Sequence, residues 1–218
     1  MSHKLFSICI IAFIALLMTG CPAIWGKAPG KGDISADDMY TKAEQYFKDG
    51  DYSSAVMYYE RLKSAHPDFD KMPEVLIKLG EATFEAGEYD KASARYRQFL
   101  ELYPAGKDVD RAKYMVAMCY FSQIKKTDLD GTMLARAADS FKGVADAAKD
   151  PEWKSKAEEK YRECRKKLGE KELYKANTYV ALRNYKAAKM AAQRVLDVYG
   201  DLGMDEEAKQ ILEKYKGE

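Results

Sequence analysis

The chain has 218 residues, a third of them charged, with 36 basic and 35 acidic side chains and a net charge of +1, which is enough for one domain or an extended repeat array. A polyanion binder needs clustered surplus Lys and Arg to release counterions, so this interleaved and balanced charge argues against a nucleic-acid partner. His3 and His66 are the only histidines, and no CxxC or Cys/His cluster occurs; the composition therefore predicts no enzyme, no cofactor and no metal site.

Residues 1–20 read as an export signal. Lys4 precedes an apolar run from Leu5 that closes at Met18-Thr19-Gly20-Cys21, the order of charged, apolar and small-residue regions found in signal peptides. The run is too short to span a bilayer comfortably. Its end resembles bacterial lipoprotein signals, with Gly20 as the small residue before the cysteine and Met18 in place of the usual leucine. That resemblance implies cleavage before Cys21 and lipidation of Cys21, and several acyl chains at about 0.8 kcal/mol per buried methylene make a permanent membrane anchor. An ordinary cleaved signal or an uncleaved anchor is the alternative. Pro22 is not the aspartate that holds many lipoproteins in the inner membrane, so the expected location is the outer membrane, facing the periplasm. Of the remaining cysteines, Cys9 leaves with the signal, while Cys119 and Cys164 fall in apolar helical stripes where buried free thiols are common; a disulfide between them stays open.

Residues 21–35 form the lipidated cysteine and a Gly/Pro-rich flexible tether, in which Trp25 suits a membrane interface. Ser35 followed by Asp38 resembles a capping box and starts a helical domain over 36–218. Within it Ala43, Phe47, Gly50, Tyr52, Ala55, Tyr59, Leu62 and Pro67 recur as Gly80, Phe84, Gly87, Tyr89, Ala92, Tyr96, Phe99 and Pro104, all displaced by 37 residues. Gly50 and Gly87 end the first helix of each pair, Tyr52 and Tyr89 start the second, and the prolines stop the pair. This is the tetratricopeptide pattern, normally 34 residues, with three extra between pairs.

A third unit begins at Ala117 with Tyr120-Phe121, but a longer polar loop around Gln123 to Gly131 precedes Ala137, Phe141 and Val144. Asp150-Pro151-Glu152 is a strong helix start, and with only Gly169 as a breaker before Arg183 it predicts one helix of about 30 residues. A fourth unit follows with Ala176, Tyr179, Tyr185, Ala188, Ala192 and Val195, where Arg183 occupies the glycine position. Asp205 to Lys216, with Ala208, Ile211, Leu212 and Tyr215 on one stripe, reads as a terminal cap. The predicted fold is all-α, a tetratricopeptide-repeat solenoid of about four helix pairs plus a C-terminal capping helix.

In such arrays the first helix of each pair lines a concave groove. The matching positions are Tyr40, Glu44, Phe47 and Lys48, then Ile77, Glu81, Phe84 and Glu85, then Arg111, Tyr114, Met118, Phe121 and Ser122, predicting an aromatic peptide-binding groove with a mostly acidic rim. Each aromatic could equally pack between helices. Asp37, Tyr40 and Glu44 stand where carboxylate-clamping arrays carry Lys and Asn, so that kind of clamp is not expected.

The lipoprotein signal, the tether, the 37-residue repeats, the insertion in the third pair and the long helix together resemble the BamD family, outer-membrane lipoproteins of the β-barrel assembly machinery. Gly50-Asp51-Tyr52-Ser53-Ser54-Ala55, the Ala137 to Phe141 segment and Lys171-Glu172-Leu173-Tyr174 carry the resemblance most specifically. Arg183 in place of glycine, and one helix where relatives carry a full fifth pair, are departures. The resemblance implies an adaptor that binds the POTRA arm of the barrel-assembly protein and unfolded outer-membrane proteins, with other assembly lipoproteins as further partners. It also implies that Arg194, in Gln193-Arg194-Val195, faces an acidic site on the membrane-proximal POTRA domain. Another tetratricopeptide lipoprotein scaffold, such as a secretin or pilus pilotin or an envelope-organising protein, is the alternative, and regular 34-residue repeats would favour it.

Overall fold

The computed structural model describes residues 34–124 and 131–218; the signal, Cys21, nearly all of the tether and residues 125–130 lie outside the described residues. The folded unit is Ala36–Glu218. Its α-helices are α1 (Ala36–Lys48), α2 (Tyr52–Ala65), α3 (Met72–Glu85), α4 (Tyr89–Leu102), α5 (Val109–Ser122), α6 (Thr132–Ala147), α7 (Pro151–Ala181), α8 (Tyr185–Tyr199) and α9 (Asp205–Lys214), with a 3₁₀ turn at Gly200–Leu202. Each helix packs mainly on the next in chain order, and α5 also touches α7, the nearest-neighbour arrangement of a repeat array.

The turn inside each pair explains the repeated glycine. Gly50 and Gly87 adopt φ of 76° and 77°, and the following backbone N–H groups of Asp51 and Glu88 donate to the carbonyls of Tyr46 and Thr83 at 2.9 and 3.1 Å, closing the helix with a six-to-one bond. The fourth pair makes the same closure without glycine. Arg183 takes φ of 57°, and Asn184 N–H donates to Tyr179 O at 2.9 Å. A left-handed residue with a Cβ costs about 1–2 kcal/mol, part of which glycine would return as extra freedom in the unfolded chain. Arg183→Gly should therefore stabilise the array by about 0.5–1 kcal/mol in urea unfolding; an unmoved or lowered midpoint would show that the arginine side chain compensates for its backbone.

Side chains cap the starts of α2, α7 and α8. Asp51 accepts from Ser54 N–H at 3.1 Å, Asp150 from Glu152 N–H at 2.9 Å and Asn184 from Ala187 N–H at 3.2 Å. From Asp150, with Pro151 in the first turn, α7 runs 31 residues without a break. Gly169 lies buried inside it, and a Cβ there would collide with Met204 Cε and stand 3.0 Å from Tyr199 Cβ. Its role is to let the end of α8 and the following turn settle onto α7.

Two apolar clusters meet on α7. The third-pair core gathers Ala117, Leu134, Ala137, Phe141, Val144, Ala157 and Cys164, whereas the fourth gathers Leu173, Ala176, Ala188, Ala192, Val195, Met204, Ala208 and Ile211. Helix α9 closes the array as a cap, with Tyr215 stacked on Tyr185 at 4.5 Å between ring centroids and 11° between planes. Cys119 and Cys164 are free and fully buried, and burial pushes both thiols up to about 12. They are protonated fillers of the core at neutral pH.

Candidate functional site

The first-helix face brings together α1, α3, α5 and α7, and its aromatic side chains are partly engaged in packing against their neighbours. Tyr40 is half-buried against Tyr59 and Phe69, at 6.3 and 6.0 Å, and its hydroxyl donates to Glu74 Oε1 at 2.8 Å. Burial, and then Glu74, push its ionisation far above the ordinary phenol range. Phe47 and Phe84 close edgewise or tilted onto Tyr52 and Tyr89, the residues that start the second helix of their own pairs, at 5.4 and 5.1 Å. Tyr114 sits between Phe141 and Trp153 at 5.5 and 5.3 Å, and Phe121 lies 6.2 Å from Phe141. Each of these five is only partly exposed. Ile77 is 1% exposed and gives a groove no surface, contrary to expectation. Helix α3 is covered by α2 and α4 together, so Val75, Leu76, Ile77 and Leu79 are all buried.

Charge fills the space between the aromatics. Lys78 Nζ lies 3.6 Å from Glu44 Oε2 on α1 and 3.9 Å from Glu81 Oε2 on its own helix, Glu81 pairs with Arg111 on α5, and Arg111 reaches Asp108 at 3.6 Å. Acids that read as a rim in the sequence are thus rungs of a compensated ladder linking three first helices. Lysines cover the aromatic faces: Lys78 Nζ is 5.4 Å from the Phe47 ring, Lys156 is 4.4 Å from Trp153, and Lys160 and Lys167 are 4.9 and 4.8 Å from Phe121. Burial opposes ionisation of Glu163, yet hydrogen bonds from Lys160 and Lys167 outweigh it and hold the carboxyl below its usual range.

A second surface lies where α7 and α8 run side by side. Arg194 is 61% exposed, with Nη1 3.7 Å from Glu172 Oε2, and Lys175 Nζ holds the other oxygen of Glu172 at 2.8 Å. These three charged residues share a hollow of about 290 Å³ with Tyr179, Ala187, Met190 and Ala191. Met190 is 63% exposed; Leu182, which caps the end of α7, and Val198 of α8 are exposed as well. Arg194, which the family resemblance singles out, lies one turn after Met190 on α8, and Met190 carries no sequence signal of its own. Among the described residues no group of three or more His, Cys, Asp or Glu gathers to hold a metal, and no helix is long and apolar enough to cross a membrane.

The family described as YfiO, outer membrane lipoprotein, matches residues 32–217. The chain is 24% identical over 189 residues to an outer membrane protein assembly factor BamD of Caulobacter vibrioides, covering 79% of this chain and 62% of that relative, less than two thirds of its length. It is 24% identical over 191 residues to a BamD of Neisseria meningitidis serogroup A, covering 83% and 72%, and 23% identical over 198 residues to that of Rickettsia prowazekii, covering 90% and 76%. Among solved structures it is similar to the TPR2AB-domain:pHSP90-complex of yeast Sti1, with a TM-score of 0.47, 14% identity and coverage of 82% of this chain and 70% of that one. The MamA protein gives a TM-score of 0.43 at 16% identity, covering 83% and 89%. Neither likeness bears on function. The family match spans nearly the entire helical array, and the chain belongs to the YfiO family of outer membrane lipoproteins.

Proposed function

We propose that the protein is an adaptor of outer-membrane protein assembly, held in the outer membrane through lipidated Cys21 after loss of residues 1–20, with residues 21–35 as the tether and 36–218 as the repeat domain facing the periplasm. The α7–α8 surface around Arg194 binds the POTRA arm of the barrel-assembly protein, and the first-helix face receives segments of unfolded outer-membrane proteins. The observation that carries this reading is the exposed Arg194 beside Met190 and Tyr179, on a chain whose relatives are named as assembly factors. A bidentate guanidinium next to apolar surface suits a carboxylate on a folded partner.

Two measurements test it. Pull-down of the intact protein from detergent-solubilised membranes should bring the barrel-assembly protein with it; recovery of other envelope components without that protein would favour a different lipoprotein scaffold. Cys21→Ala should move the protein from the outer-membrane fraction to the soluble one, because several acyl chains provide the attachment. If the variant stays with the membrane after a high-salt wash, the anchor lies elsewhere.

A further inference from the structure

The two helices forming the α7–α8 hollow present aligned stripes. On α8, Met190 and Arg194 are one turn apart, which places their side chains about 6 Å apart along the helix. On α7, Glu172 and Tyr179 are two turns apart; Glu172 faces Arg194, and Tyr179 lines the same hollow as Met190. One end of the hollow is therefore apolar and the other charged, with two cations, Lys175 and Arg194, against the single carboxylate of Glu172.

Glu172 holds its neighbours unequally. Its contact with Lys175 is 2.8 Å, within hydrogen-bonding distance, but its contact with Arg194 is 3.7 Å, beyond it. Glu172 itself is 13% exposed while Arg194 is 61% exposed. The guanidinium is thus kept in place by a carboxylate that does not satisfy its planar fork, and its outer edge stays in solvent.

We propose that this hollow is a two-point recognition site in which Glu172 is an internal stand-in for a carboxylate of the partner. The partner segment carries an acidic residue and an apolar residue about 6 Å apart on one face, as at i and i+4 of a helix or i and i+2 of a strand. The apolar side chain enters between Met190 and Tyr179, and the acidic one takes Arg194 bidentately, leaving Glu172 to Lys175. This rests on the docking reading above and adds Met190 and Tyr179 as specificity residues and Glu172 as an internal competitor.

The test is a titration of the detergent-solubilised, full-length protein with the purified periplasmic arm of the barrel-assembly protein. Glu172→Gln keeps the side chain's shape but removes the competing charge, and should tighten binding about threefold or more, with the gain shrinking as salt is raised. Met190→Asp puts a carboxylate one turn from Arg194 and a charge in the apolar end; it should weaken binding about tenfold or more, while Met190→Leu stays within about twofold. Tyr179→Ser should weaken binding too, a second reading of the apolar end should Met190→Asp fail to fold. Unchanged binding by Tyr179→Ser and by folded Met190→Asp, or weakened binding by Glu172→Gln, overturns the two-point site while leaving the docking reading intact. No binding by the wild type overturns the docking reading and this inference with it.

Discussion

Phe141→Ala should lower the unfolding free energy by about 3–5 kcal/mol, the range for deleting a fully buried phenylalanine. Phe141 is 0% exposed and sits where α5, α6 and α7 meet, touched by Tyr114 and Phe121 from the first-helix face and gathered with Ala157 and Cys164 of α7. Truncation would leave a void bounded by helices that each have other packing to keep, so the site cannot collapse freely. Against a total of about 5–15 kcal/mol for a folded domain, the loss is a large fraction of all stability. Urea unfolding followed by circular dichroism would read it as a lowered midpoint. Phe47, half-exposed against Tyr52, provides the contrast: its truncation removes an edge contact without opening a core. A Phe141→Ala midpoint no lower than that of Phe47→Ala would show that the third pair is not held from this point.

Arg194→Glu should reduce affinity for the barrel-assembly protein by about 2 kcal/mol or more, roughly thirtyfold, because it removes a guanidinium fork and presents like charge to an acidic partner site. Within the protein the change places a carboxylate near Glu172, but at 61% exposure solvent screens that repulsion and helix content should be unaffected. Arg194→Lys separates geometry from charge, since an ammonium retains the sign but not the two parallel hydrogen bonds. A reversed charge on the partner should restore binding to Arg194→Glu. Full co-purification of the folded Arg194→Glu protein would remove this face from the contact.

The helix pairs and their closing turns were legible because they rest on local chemistry repeated at one spacing. Glycine at 50 and 87, tyrosine at 52 and 89, and Asp150-Pro151 each specify a backbone event within a few residues of themselves. The charge pairing along the first-helix face was not legible, for the opposite reason. Glu44 and Lys78, or Glu81 and Arg111, lie thirty or more residues apart, so each reads alone as a solvated charge, and only stacking one pair on the next makes them rungs. Gly80 shows the same blindness within the core. The repeat places it opposite Ala43, where alanine is tolerated, yet a Cβ at Gly80 would stand 2.7 Å from the Tyr96 ring. Tyr59 and Tyr96, which share a different repeat position, differ in their partners: the Tyr59 hydroxyl donates to Glu44, whereas the buried Tyr96 hydroxyl has no hydrogen-bond partner among the described residues and its ring lies against Gly80.

Helix α7 belongs to both apolar clusters, through Ala157 and Cys164 at one end and Leu173 and Ala176 at the other. Trp153 of the first-helix face and Tyr179 of the α7–α8 hollow are therefore mounted on one continuous rod, about 40 Å apart along its axis. A jointed connection between two helix pairs would absorb a partner's pull in the joint. Here a tilt or twist applied near Arg194 has no soft segment in which to dissipate, and it reaches the lysine-covered rings of Trp153 and Phe121 as leverage, so the two faces move as one body.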